Sequence, residues 1–336
     1  MRRSFVLALW LAACGATNPV GPSGVDGGSV DGGGSDQGGM IDVDTACTAY
    51  ATAYCNKEDA CIKNGVSANY GTETVCETRL KQSCQAAAAA AGTGVDGKHY
   101  SDCAAAHASA SCSDFLNNNI TACVSVPGSL ANGAACAFGS QCVSTYCQRP
   151  RNLTCGHCAA VSTAGSDCTV ASCAHGFSCQ SNGCQAIAYQ ASASCSATSS
   201  CGAGLGCLIA QGSPSGSCIA LGASVGAACD TSAASHCDVN KGLYCDHGHC
   251  AALTYDQPGA TCGVNPIQNS YVVCTNASLC YGATMSHSGS CLAYAQDGAA
   301  CDTSDGPGCL DAARCVTASS NLTAGTCQLF DASKCM

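Results

Sequence analysis

The sequence predicts a small disulfide-rich fold: an N-terminal disulfide-linked helical region, followed by an array of short Cys/Gly-rich repeats with little regular secondary structure. Three observations predict it. Cysteine supplies 35 of 336 residues, a density typical of disulfide scaffolds. Bulky apolar side chains are scarce, with 14 Leu, 7 Ile, 18 Val and 4 Phe from residue 14 onward, too few for the core of an enzyme of this length. Beyond residue 130, a Gly-x-x-Cys element recurs along the chain.

Scarce apolar bulk spells disorder when net charge is high, but only 10% of residues here are charged and the cysteines offer another route. Each bridge is worth roughly 2–4 kcal/mol, chiefly by restricting the unfolded chain. The short cysteine spacings favour the lower half of that range. Many small closed loops would still offset the missing core, so reduction should unfold the molecule. Persistent bridges require an oxidising compartment. Net charge is −10, or −12 without Arg2 and Arg3. With no basic stripe for phosphates, this argues against a nucleic-acid partner. The single Trp, Trp10, lies in the leader, so no Trp platform for sugars or bases remains.

Met1-Arg2-Arg3 is a basic start and residues 4–13 are a short apolar run, well below the roughly 20 residues needed to cross a bilayer. Residues 1–13 therefore read as a signal peptide. The run ends in Leu11-Ala12-Ala13-Cys14, which resembles the lipobox of bacterial lipoproteins. That resemblance implies cleavage before Cys14 and acylation of its thiol and new amine. Several acyl chains anchor firmly where one binds only marginally. Gly15, in place of Asp, implies passage to the outer membrane in that family. Cysteine parity agrees, because lipidation of Cys14 leaves an even 34.

Residues 14–43 join the lipidated cysteine to a flexible Gly/Asp-rich stalk. Its aspartates, such as Asp26, Asp31 and Asp36, stand five apart and do not match a calcium loop. Residues 44–127 carry eight widely spaced cysteines: Cys47, Cys55, Cys61, Cys76, Cys84, Cys103, Cys112 and Cys123. Cys76, Leu80 and Cys84 share one face of a helix that starts near Thr72, runs into the alanines of 86–91 and stops at Gly92. Cys47, Tyr50, Tyr54 and Cys55 make a similar stripe in a preceding helix. Ser101 is placed to cap a third helix containing Cys103 and His107, and six consecutive alanines favour helix. The expected result is a small bundle with four internal bridges.

The array spans 128–336 in about six four-cysteine units. Gly133, Gly165, Gly226, Gly259 and Gly298 open units at Cys136, Cys168, Cys229, Cys262 and Cys301, and Cys195 opens another with Ser192 in the glycine's place. The other unit cysteines are Cys142, Cys147 and Cys158; Cys173, Cys179 and Cys184; Cys201, Cys207 and Cys218; Cys237, Cys245 and Cys250; Cys274, Cys280 and Cys291; Cys309, Cys315 and Cys327. Units mostly close in Gly-x-Cys, as at Gly216-Ser217-Cys218. Bridging over short loops forces tight turns with φ > 0, where glycine carries no steric penalty. A beaded, quasi-linear array is expected. Cys155 and Cys335 fall outside the units. They could pair if the array curls back, but a shifted register with bridges crossing unit boundaries is the favoured expectation.

This grammar resembles the cysteine-rich repeats of the dickkopf amino-terminal region, and the whole layout resembles secreted lipoproteins of myxobacteria. Dickkopf proteins antagonise an animal signalling receptor. No ligand-contact motif here matches theirs, so that function is not implied.

Cys245-Asp246-His247-Gly248-His249-Cys250 comes nearest to a metal site, since His247 and His249 with the two cysteines could supply a tetrahedral zinc set, and Asp246 is a further candidate ligand beside them. Cys245 and Cys250 occupy ordinary repeat positions, however, and an oxidised cysteine offers no thiolate, so no metal or other cofactor is expected. Cys155-Gly156-His157-Cys158 lacks the helix start of a redox motif, and no G-x-S-x-G elbow occurs in a strand-to-helix setting. Glu58, Glu73 and Glu77 are few for paired-carboxylate chemistry. The residues thus predict no enzyme. They predict a surface-anchored cysteine-rich lipoprotein acting as a binding or structural module, held to the membrane by its lipid and facing an extracellular protein or polysaccharide. The competing expectation is an exported protease inhibitor or hydrolase on the same scaffold.

Overall fold

The computed structural model describes residues 41–335 apart from 151, 169–172, 181, 197–200, 211–212, 230–236, 266–269 and 285–286. The leader, Cys14 and the stalk through residue 40 lie outside the described residues. Five helices come first: α1 (Val43–Cys61), α2 (Gly65–Tyr70), α3 (Glu73–Ala88), α4 (Gly97–Ser109) and α5 (Cys112–Leu116). α1 packs on both α3 and α4. Cys47–Cys84 and Cys55–Cys76 join α1 to α3. Their cysteines are two turns apart on each helix and run in opposite order, which fixes an antiparallel register. Cys61–Cys112 ties α1 to α5, and Cys103–Cys123 ties α4 to the 3-10 turn Thr121–Cys123. All four bridges are internal to this region, as expected.

Side-chain caps set the helix starts. Asp42 accepts from Thr45 N at 2.9 Å and Thr72 from Val75 N at 3.3 Å. The third long helix does not begin at Ser101, as expected, but at Gly97. Asp96 is the cap, accepting from His99 N at 2.8 Å, and Ser101 lies a turn inside. Asp96 supplies the acceptor before any apolar residue announces the helix. α3 ends at Ala88, short of the alanine run's end, and Gly92 (φ 77) turns the chain beyond it.

The repeats follow one pairing rule. In all six units the first cysteine bonds the third and the second bonds the fourth, from Cys136–Cys147 and Cys142–Cys158 to Cys301–Cys315 and Cys309–Cys327. The third and fourth cysteines stand directly opposite each other on antiparallel strands, as Cys207 does Cys218 and Cys315 does Cys327. This brings the two bridges of each unit together on one face of its sheet. Among the described residues the largest fully buried side chains are all cysteines, so sulfur fills the place of an aliphatic core.

One backbone bond also recurs. The residue that opens each unit donates its N–H to the carbonyl of the fourth cysteine: Gly133 to Cys158, Gly165 to Cys184, Ser192 to Cys218, Gly226 to Cys250, Gly259 to Cys291 and Gly298 to Cys327, all at 2.7–2.8 Å. The strands are short, with sheets of two or three in most units and five in the fifth.

The array is not quasi-linear. Each unit hydrogen-bonds to the helical region. In order along the array the contacts are Gly94 N to Ser140 O, His175 Nε2 with Asn118 O, Ala203 N to Asn117 Oδ1, Lys63 N to Asn240 O, Ala277 N to Ser67 O, and Arg79 to Asp297. The repeats thus circle the helices, and the circle is closed by Cys155–Cys335, with Cα atoms 5.2 Å apart. This corrects the expected register shift: the two supernumerary cysteines bond each other, and no unit lends a cysteine to its neighbour. Docking on the hub brings the ends of the array together.

Seventeen disulfides in all, pairing all 34 cysteines from Cys47 to Cys335, indicate an oxidising, extracytoplasmic location. No described helix is long and apolar enough to cross a membrane.

Candidate functional site

A cavity of about 260 Å³ lies where the helical hub meets the first, second and last units. One wall is aromatic and comes from α1, α4 and α5. Tyr50 and Tyr54 stand one turn apart on α1, while Tyr100 and His107 come from α4. Tyr50 and Tyr100 have ring centroids 5.4 Å apart, and the Tyr54 ring meets Phe115 edge-on at 5.1 Å and His107 at 5.5 Å. Such edge contacts are the favourable geometry for aromatic quadrupoles.

Burial drives the electrostatics of this wall. The Tyr50 phenol is pushed up to about 12, first by burial and then by the charge of Asp311. Tyr70 is raised by the same two causes, and its hydroxyl donates to Asp311 Oδ2 at 2.9 Å. The phenols therefore stay protonated near neutral pH. His107 is only 5% exposed. Burial, helped by repulsion from Lys57, pulls its imidazole down to about 4, so it is neutral. Its Nδ1 is buried with no hydrogen-bond partner.

The opposite side of the cavity is the seam of the circle. The Arg149 guanidinium lies over the Phe330 ring at 4.3 Å and Arg314 over the same ring at 5.4 Å. Phe138 meets Phe330 edge-on. Arg314 Nη1 donates to Pro150 O and Leu153 O across the seam.

The residues singled out from sequence fall elsewhere. Asp246 Oδ1 and His247 Nδ1 lie 2.6 Å apart, and His249 Nδ1 contacts Gly226 O at 3.3 Å. Cys245 and Cys250 are bonded to Cys229 and Cys237, so the stretch has no thiolate to offer. Cys103, His107 and Cys123 bring ligand atoms within 4.8 Å of one another, yet their sulfurs too are bonded together. Cys155 and Cys158 bond different partners, Cys335 and Cys142, so the C-x-x-C closes no loop of its own. Glu58 is buried and accepts from Asn69 at 2.7 Å, and Glu77 accepts from Thr52 across α1 and α3. Cys14 lies outside the described residues.

Sequence reasoning reached Tyr50 and Tyr54 as part of a helix stripe and His107 as a member of the third helix. It missed Tyr100 and Phe115, which meet α1 only when the helices pack, and Arg149, Arg314 and Phe330, which converge only when the circle closes. The one trace of the two arginines in the sequence is the rarity of their kind, with Arg79, Arg149, Arg151 and Arg314 the only four beyond residue 13. The chain matches no protein-family model, no curated protein and no solved structure.

Proposed function

We propose that this chain is an exported lipoprotein, anchored through Cys14 at the outer membrane or cell surface, and that its closed circle of repeats is a binding module with the central cavity as ligand site. One observation carries the ligand site: Tyr50, Tyr54, Tyr100, His107 and Phe115 converge as one aromatic wall of the cavity of about 260 Å³. The aromatic wall adds shape and apolar area, the usual make-up of a small-molecule pocket. The lipid anchor rests on the lipobox-like Leu11-Ala12-Ala13-Cys14. The dickkopf-like Cys/Gly grammar bears on repeat architecture alone. An extracellular protein or polysaccharide partner would meet the outward faces of the repeats.

The test is a thermal-shift screen of the oxidised chain against a chemically varied small-molecule panel, repeated with His107→Phe. A compound that raises Tm for the wild type and not for the variant supports the reading. A panel with no stabilising compound removes it. Labelling with an alkyne fatty acid tests the anchor separately, with incorporation expected in the wild type and lost in Cys14→Ser.

A further inference from the structure

Resting on that reading, we infer that the cavity takes a small organic anion with an apolar body, its carboxylate, sulfonate or phosphate seated on Arg149 and Arg314. The chain carries ten more acidic than basic groups, yet neither arginine forms an ion pair among the described residues. Arg79 shows the contrast, forming a bidentate pair with Asp297. Arg149 donates Nη1 to Ala137 O at 2.6 Å, and Arg314 donates Nη1 to two seam carbonyls. A guanidinium has five N–H donors in a planar fork, and among the described residues the Nε and Nη2 hydrogens of both have no protein acceptor.

Two partly buried cations stacked against one phenyl ring repel each other and lose hydration. Burial and the neighbouring Arg314 bring Arg149 down to about 10. Carbonyl oxygens and a ring face soften this without neutralising it. An anion held by both forks would neutralise it, through the paired N–H···O geometry that makes arginine selective for planar or tetrahedral oxyanions. Both side chains line the same cavity as Tyr50, Tyr100 and His107. An anion at the seam therefore directs an apolar body towards the aromatic wall. Asp311 also lines the cavity but is engaged by Tyr70. It would disfavour a second negative group at that end, which limits the ligand to one anionic terminus.

The experiment is calorimetric titration of the oxidised full chain with naphthalene sulfonate and with neutral naphthalene sulfonamide, for the wild type, Arg149→Gln and Arg314→Gln. Near-ultraviolet circular dichroism of the aromatic cluster reports whether each variant keeps its fold. One sulfonate per chain is expected, with sulfonamide at least tenfold weaker. Each substitution should weaken sulfonate at least tenfold and leave sulfonamide unchanged. Equal binding of both probes, insensitive to the substitutions, overturns the anion seat and leaves the cavity reading standing. No binding of either probe overturns both. If both variants lose their aromatic dichroism, the wild-type preference between the two probes decides, and no preference overturns the seat.

Discussion

Cys155 and Cys335 are 180 residues apart in sequence and bonded to each other, with Cα atoms at 5.2 Å. This bond belongs to neither the hub nor any unit. It joins the first unit to the chain's end after five more units have gone round the helices. Around it, Ala87, Ala90, Ala137 and Phe138 pack with Cys335 and Phe330, so the closure is buried as well as bonded.

Removing this bond opens the largest loop in the molecule. The chain-entropy argument makes long loops the most stabilising to close, while docking of every unit on the hub lowers the gain. Cys155→Ser with Cys335→Ser should cost about 2–4 kcal/mol in guanidinium unfolding with the other bridges intact. It should also speed proteolysis near Pro150 and Phe330. An unchanged midpoint and digestion pattern would make the clasp incidental.

Ser192 stands where five other units have glycine, and its φ is 67. The position must be left-handed because its N–H has to reach Cys218 O at 2.7 Å. A side chain there costs about 1–2 kcal/mol, partly balanced by the greater unfolded freedom of glycine. Ser192→Gly should stabilise the third unit by about 0.5–1 kcal/mol. The readout is slower hydrogen exchange at the Cys218 amide, which donates to Ala193 O.

Glycines in the closing Gly-x-Cys element have a different task. Gly216 pairs with Ile209 across the sheet, and a Cβ on it would come within 1.9 Å of Leu208 O. The requirement is close approach between strands, not a positive φ. Gly216→Ala should cost about 1–3 kcal/mol through forced strand separation. Ser217→Ala, one residue on and exposed, should stay within about 0.5 kcal/mol. Comparing the two by hydrogen exchange of the Leu205–Ile209 strand checks the argument.

The glycines show what was legible in the sequence. Their spacing marked the units, and one rule, tight turns, was expected to explain them all. It holds at Gly133 and Gly298, where φ is positive and nothing would crowd a Cβ, but not at Gly216 or Gly325. Helix faces were legible from Cys47, Cys55, Cys76 and Cys84 because both ends of each bridge lie on regular local structure. Cys155–Cys335 was not, since nothing local to either cysteine specifies a partner so distant. Arg79 was equally silent. It sits between Cys76 and Leu80 on the buried side of α3, and its reason for being there, Asp297 with the carbonyls of Leu310 and Asp311, is over 200 residues away. The seam side of the cavity is built from such distant convergences, with Arg149 and Arg314 meeting over Phe330.

His107 makes the hub acid-sensitive. It is faced by Tyr50 and Tyr54 from α1, by Phe115 from α5 and by the charge of Lys57, and none of these carries a negative charge to pair with an imidazolium. Its folded value of about 4 lies below the 6.5 of a free imidazole, so the unfolded chain binds the proton more readily. Its contribution is therefore fully present above about pH 6.5 and lost as pH falls towards and through 4, by up to about 3 kcal/mol. In His107→Phe this component should vanish, flattening the dependence of Tm on pH between 6.5 and 4. A wild-type imidazole that titrates near 6.5 by NMR would contradict the burial argument.

The most direct test of the bridged circle is peptide mapping of the exported protein, digested without reduction and sequenced by mass spectrometry. The structure predicts first-to-third and second-to-fourth pairs in every unit, four pairs within the helical region, and a peptide joining Cys155 to Cys335. Free thiols at most positions, or Cys155 bonded inside its own unit, would contradict it.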